Sequence, residues 1–162
     1  MPVSEEQFKA GMSLRAGGVA IVTARDGDTV HGMTVTDFAG VSASPPLALV
    51  CADKSSNTLG VIRAGQAFAI NLLSVDQVDL SNRFASKKHE WERFDGLECE
   101  SAVTGAPLIP SAVASFDCVV EVEHDAGDHV IFVGRIEHIT TRDEKPLVYC
   151  SGKYSELTVL TD

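Results

Sequence analysis

Three stretches of this sequence combine residue types that could meet a ligand. The first is His31-Gly-Met-Thr-Val-Thr-Asp-Phe-Ala-Gly-Val-Ser42, followed by Ala43-Ser44-Pro45-Pro46. Small hydroxyl residues on one strand, with glycine beside them, would let a flat ligand lie against backbone. From local pattern alone, a Thr-rich edge strand accounts for the same residues better. The second is Ala52-Asp53-Lys54-Ser55-Ser56-Asn57-Thr58, set between an apolar run and a helical turn. Hydroxyl and backbone donors at a helix N-terminus, with one Lys, suit a phosphate or pyrophosphate. An ordinary N-cap at Ser56 or Asn57 explains them equally well. The third is Gly127-Asp128-His129, where the imidazole is a polar contact for a ligand or merely an exposed hairpin residue. Nothing in the three specifies a general base.

What is missing narrows the chemistry. There is no G-x-G-x-x-G turn, no G-x-x-x-x-G-K-[ST] loop and no G-x-S-x-G elbow, so dinucleotide folds of the usual kind, nucleotide hydrolases and serine hydrolases lose their customary signals. Cys51, Cys99, Cys118 and Cys150 are widely separated. A zinc site needs closely spaced ligands, so no metal is expected. Cys51, Cys118 and Cys150 lie in apolar segments and read as small buried hydrophobes. A net charge of −10 argues against nucleic acid, whose phosphates need a basic footprint. With no long apolar run and no basic, apolar leader, no membrane span is expected, and the expected compartment is the cytoplasm.

The elements that must position these stretches are mostly strands. Ser4-Glu5-Glu6-Gln7 is a capping box that opens a helix from about Glu5 to Leu14, with Phe8 and Met12 on one face and Gly17-Gly18 at its end. Val19–Ala24 is a β-branched run read as a buried strand, and Asp26-Gly27 supplies a hairpin turn. A second strand is expected from Val30 through Phe38. After Pro45-Pro46, Leu47–Cys51 reads as a strand buried on both faces. Thr58–Ala64 offers one or two helical turns, and Ala67–Leu73 returns to strand. A second capping box, Ser74 to Gln77, opens a helix reaching about Ala85. Ser86–Asp95 reads as a charged surface loop anchored by Trp91 and Phe94. Beyond Pro110, Phe116, Cys118, Val120 and Val122 alternate with polar neighbours, which predicts a strand with one wet face. Val130–Glu137 pairs with it around Ala126-Gly127-Asp128, and Pro146–Tyr149 closes as a short strand. About seven strands with inserted helices predict a mainly β, closed antiparallel barrel in a single domain spanning 1–162.

Taken in order, these segments resemble the flavin reductase-like split-barrel family, the reductase components of two-component flavin-dependent monooxygenases. The resemblance runs through Gly18–Thr23, His31-Gly-Met-Thr34, Val41-Ser42, Pro45-Pro46-Leu47 and Phe68–Leu73. It continues in Gln77, Leu80-Ser81, Arg83-Phe84-Ala85, Arg93-Phe94, Gly105–Leu108, Gly127-Asp-His129, Pro146-Leu147 and Gly152-Lys-Tyr154. It implies a Greek-key split β-barrel of the FMN-binding type, a homodimer with flavin at the subunit boundary, and reduction of FMN or FAD by NADH, with NADPH left open. The reduced flavin would pass by diffusion to a partner oxygenase. The residues implied for the isoalloxazine are Thr34, Val35, Thr36 and Ser42. Cys51 and Ala52 would lead into Asp53, Lys54, Ser55, Ser56, Asn57 and Thr58, which would receive the ribityl and phosphate part. Ser86 and Lys87 would reach the phosphate or adenine end, and His129 would sit beside the nicotinamide with Lys153 and Tyr154 nearby. Asp37 is a departure, since members often carry a small neutral polar residue there. A carboxylate beside a ring that becomes anionic on reduction opposes that charge, so Asp37 either points away or lowers the flavin potential. Two other readings stay open: a flavin-binding electron carrier without efficient NADH turnover, and a barrel acting on another substrate.

Overall fold

The computed structural model describes residues 2–158 and 160. Seven strands form one antiparallel sheet: β2 (Ala20–Asp26), β3 (Thr29–Val35), β4 (Phe38–Ala43), β5 (Pro46–Asp53), β6 (Ala67–Leu72), β7 (Ala114–Ala126) and β8 (His129–Thr141). Their order is β3-β2-β6-β7-β8-β5-β4. The two ends of that ladder, β3 and β4, are separated in sequence only by Thr36 and Asp37. A chain that steps from one edge to the other in two residues forces the sheet to curl until its edges meet. The single strand expected over Val30–Phe38 is therefore two strands, and no ladder joins them, so the barrel is split rather than closed by hydrogen bonds. A smaller sheet, ordered β1-β9-β10, pairs both β1 (Gly17–Gly18) and β10 (Lys153–Ser155) with the central β9 (Val148–Cys150).

Three helices, α1 (Glu5–Ser13), α2 (Asn57–Gly65) and α3 (Val78–Ala85), are inserted between strands. Both capping boxes form, with Ser4 N–H donating to Gln7 Oε1 at 2.9 Å and Ser74 N–H to Gln77 Oε1 at 3.0 Å. Helix α1 ends at Leu14, and Gly17-Gly18 are not its stop but the strand that meets β9. A Cβ at Gly18 would lie 3.2 Å from Leu72 Cδ1 and 3.5 Å from Phe38 Cζ, so glycine there leaves room for those two side chains. Helix α1 buries no residue, and its Phe8 and Met12 remain 58% and 43% exposed.

The barrel interior is filled by Ala20, Val22, Ala24, Val50, Phe68, Ile70, Cys118, Val130 and Phe132, with α2 adding Leu59 and Ile62. The opposite face of β2 packs Val19 and Ile21 against Leu73, Phe84, Ile109 and Leu147. Strand β2 is thus buried on both faces, as its unbroken apolar run predicts. Strand β5 is not. Ala48, Val50 and Ala52 enter the core, while Leu47, Leu49 and Cys51 on the other face are only half-buried. In β7 the expected alternation holds through Val120, with Phe116, Cys118 and Val120 on the barrel core. The register with β8 shifts between Asp117 and Cys118 and between Val120 and Val122, and beyond the second shift Val122 is exposed. Asp117, on the other face beside Ala69, is buried all the same, because the segment at Thr104 covers it: its carboxylate accepts from Thr104 N–H at 2.9 Å and from the Thr104 hydroxyl instead of facing water. Among the described residues no helix is long and apolar enough to cross a membrane.

Candidate flavin groove

Strand β3 and helix α3 form the walls of a cavity of about 400 Å³. Thr34, Val35 and Thr36 line one side, Ser81, Asn82 and Ala85 another, and Tyr149, Gly152 and Tyr154 a third. Ser81 and Ala85 are four residues apart, which sets both on one helical face. The Thr34 hydroxyl donates to Ser81 O at 2.7 Å, so only its lone pairs remain for a ligand. Tyr154 is held by its own hydroxyl, which lies 2.9 Å from Ser81 Oγ and donates to Asn82 Oδ1 at 3.0 Å. Its ring meets Tyr149 edge to face at 5.2 Å. The result is a slot with an aromatic end and a wall of small hydroxyl residues.

Thr34 and Ala85 also line a second cavity of about 240 Å³, so the two cavities adjoin at the cleft between β3 and α3 and together make up the candidate groove. Its lining passes from Met33 and Phe84 to Asp53, Ser55, Ser56, Lys87, Glu90 and Arg93. Ser56 caps α2 by accepting from Thr58 N–H at 3.2 Å. Ser55 N–H donates to Asp53 Oδ1 at 2.6 Å. That bond holds the Asp53 carboxyl below the usual carboxylate range, with His129 and Lys87 adding to the effect from farther off. The end of the groove with hydroxyl and charged side chains therefore lies at the α2 N-terminus, facing the segment that follows α3.

Asp53 and His129 are paired residues of the β5–β8 ladder, so His129 stands at this same end, half-exposed. Its Nδ1–H donates to Asp128 Oδ1 at 2.7 Å, which fixes the tautomer and leaves Nε2 as an acceptor. The same bond holds Asp128 below the usual carboxylate range. Asp37, in the two-residue step between β3 and β4, is not free. Arg15 donates to its carboxylate at 2.5 Å and to Thr36 O at 3.2 Å.

Residues 12–158 match the family model described as flavin reductase like domain. The chain belongs to the flavin reductase-like family. Among relatives, it is 35% identical to actinorhodin polyketide dimerase of Streptomyces coelicolor, over 97% of this chain and 89% of that one. It is 37% identical to the NADH-dependent FMN reductase SmoA of Agrobacterium fabrum, over 96% and 87% respectively. It is 30% identical to HsaB, the reductase subunit of a flavin-dependent monooxygenase in Rhodococcus jostii, over 94% and 78%. In structure it is similar to the NADH:FAD oxidoreductase SgcE6 of Streptomyces globisporus, solved with NAD and FAD fragments. There the TM-score is 0.90 at 28% identity, covering 100% of this chain and 99% of that one.

Of the site residues that the resemblance to the flavin reductase-like family implies, the groove brings together Thr34, Val35, Thr36, Asp53, Ser55, Ser56, Lys87 and Tyr154. Others lie elsewhere. Lys54 turns its ammonium to Gly127 O at 2.7 Å and to Asp125, across the hairpin mouth from the groove. Thr58 is wholly buried, 2.8 Å from His31 Nδ1, and Ala52 is a core residue. Asn57 donates to Glu90 Oε1 at 2.5 Å. Ser42 accepts from Ser44 N–H at 3.2 Å, and neither it, Cys51, Asp37 nor the exposed Lys153 lines the groove. Ser86 faces a separate, open charged hollow with Arg83 and Lys88, while its carbonyl points back to Arg93. The segment after Ser86 is anchored differently from the sequence reading. Trp91 is 63% exposed and merely edges His31 at 4.8 Å, whereas Phe94 packs on Phe84 and Arg93 is buried. Arg15 is not singled out in the sequence, and Arg93, Ser81 and Ala85 enter only through the resemblance, with no role in the site attached to them. A lone Arg in a charged run gives no signal, but the four-residue spacing of Ser81 and Ala85 could have marked the α3 wall.

Proposed function

We propose that this chain is an NAD(P)H:flavin oxidoreductase, with NADH as donor, that reduces FMN or FAD and supplies the reduced flavin to a partner oxygenase. The observation that carries this reading is the pair of adjoining cavities, in which an aromatic and hydroxyl slot meets, at Thr34 and Ala85, a charged end where Ser55, Ser56 and Lys87 offer donors. A planar ring with a phosphorylated tail has that same division of polarity, and the groove's size is ordinary for a cofactor site. Its membership in the flavin reductase-like family agrees.

Bound there, the flavin supplies an acceptor for the nicotinamide hydride, chemistry that belongs to the two cofactors. The chain's own task is to hold the rings at reacting distance. Thr34 and Thr36 present acceptors along one edge of the slot, Tyr154 closes it, and Ser55, Ser56 and Lys87 hold the tail. His129, oriented by Asp128, receives the nicotinamide. No side chain needs to give or take a proton.

The same reading includes a homodimer with flavin at the boundary. Supporting it, the outer face of β5 and β8 carries Leu47, Leu49, Cys51, Ile131 and Val133 only half-buried, an apolar surface that a second copy would cover. Four unpaired cysteines accord with a reducing, cytoplasmic setting. The test is direct: purified protein is mixed with NADH and excess FMN or FAD, and NADH oxidation is followed. Flavin-dependent loss of NADH is expected. Its absence, with flavin tightly held, would favour the electron-carrier reading instead.

A further inference from the structure

Among the described residues, Arg93 is the one Lys or Arg that is buried, at 4% exposure. Its Nη1 donates to Gly32 O on β3 at 2.6 Å, and its Nη2 donates to Ser86 O just after α3. The planar fork thus ties strand and segment together from beneath, and the next residue along, Lys87, lines the groove with Arg93 itself. The charge balance around this guanidinium is incomplete. Its Nε has no partner. The carboxylate beside it, Glu90, stands 3.8 Å from Nη2 and is shared with Asn57 at 2.5 Å and with His31 at 3.8 Å. Burial lowers the Arg93 pKa, and Glu90 offsets only part of that. A desolvated cation is stabilised when an anion pairs closely with it, and here the one carboxylate beside it is shared and 3.8 Å away.

We propose that Arg93 is a positioning residue that sets Lys87 for the phosphate of a flavin, so that the groove prefers phosphorylated flavins over riboflavin. The proposal rests on the flavin reading above and adds to it the group that decides which flavins are held. A phosphate at Ser55, Ser56 and Lys87 would meet two hydroxyls and an ammonium in the same cavity. Lys87 does the touching, and Arg93 keeps the Ser86 carbonyl, and therefore the Lys87 backbone, against β3. A lysine at 93 keeps the charge but has no fork to span two carbonyls.

The experiment titrates flavin-free protein with FMN and with riboflavin and reads the ratio of the two dissociation constants. Wild type is expected to bind FMN about tenfold tighter or better, since a charge-assisted contact is gained. Arg93→Lys and Lys87→Gln should each lower that ratio by about fivefold or more, and the double variant little more than Lys87→Gln alone. If Arg93→Lys weakens both flavins equally and leaves the ratio unchanged, its role is structural and the proposal fails. Losses that multiply in the double variant also overturn it, because then Arg93 does not act through Lys87. A measurement on wild type covers the case in which Arg93→Lys does not fold. The Arg93 Nε–H resonance should shift on adding FMN and stay in place with riboflavin, and equal shifts would overturn the proposal. Wild type that binds neither flavin overturns the flavin reading itself, a different result, and this proposal with it.

Discussion

Asp53 and His129 face each other across the β5–β8 ladder, which sets an imidazole and the cap of the Ser55 turn at the same mouth of the groove. Paired residues of an antiparallel ladder have Cα atoms about 5 Å apart, so a donor resting on His129 would lie next to whatever the α2 N-terminus holds.

Replacing His129 should therefore separate nicotinamide use from flavin binding. His129→Ala is expected to lower kcat/KM for NADH by about tenfold or more, the loss of roughly one well-placed hydrogen bond. The flavin dissociation constant should change less than about twofold. Asp128→Asn should give a weaker version of the same pattern, because it frees the imidazole tautomer without removing the ring. Steady-state kinetics in NADH beside flavin titration checks this, and a full NADH rate in His129→Ala would refute the assignment.

The Arg15–Asp37 pair answers the question that Asp37 raised. The carboxylate next to Thr36 is already matched by a guanidinium 2.5 Å away, at half-exposed positions. Asp37→Asn should raise the midpoint potential of bound flavin, Arg15→Gln should lower it, and each shift should stay within about 20 mV, the equivalent of an exposed ion pair. The double variant should return close to wild type. Potentiometric titration of the three variants decides it, and a shift of the same sign in both single variants would exclude an electrostatic origin.

His31 is buried and its pKa is lowered, first by burial and then by Arg93, with Glu90 opposing. Its folded pKa thus lies below the unfolded value near 6.5. Above that value neither state carries the proton and stability is full. As pH falls below it, the unfolded chain gains a proton that the folded chain refuses, so stability declines down to the folded pKa. The slope approaches ~1.4 kcal/mol per pH unit. Denaturant unfolding across this range should show that slope in wild type and lose it in His31→Asn. Parallel pH profiles for the two proteins would count against it.

Gly65 closes α2 against the β2 end of the first hairpin, and a Cβ there would lie 2.0 Å from Arg25 O. Backbone, unlike a side-chain tip, cannot swing aside. Gly65→Ala should destabilise the fold by about 3 kcal/mol, read as a lowered denaturant midpoint. Gly60→Ala on the same helix, where a Cβ meets nothing within 4 Å, should be neutral or slightly stabilising.

Much of the frame is local and so was legible in the residues. The Ser4–Gln7 and Ser74–Gln77 boxes, the unbroken Val19–Ala24 run, and the Gly27 and Gly127 turns with φ of 55° and 65° depend only on neighbours in sequence. Hydroxyl residues of the Thr34–Thr36 strand and the Ser55–Ser56 cap were visible as types, and their family pattern named the ligand. What the sequence could not decide was which of those side chains face one space. Lys54 and Lys87 look alike as cations, yet a hairpin carbonyl claims one and the groove keeps the other. Thr58 and Ser56 look alike as caps, yet one is spent on His31. The break at Thr36-Asp37, the covering of Asp117 by the Thr104 segment and the burial of Arg93 all depend on parts of the chain distant in sequence meeting one another. Residue type and short spacing determine what a segment can offer; only the curled sheet, by choosing its long-range neighbours, decided where each offer points.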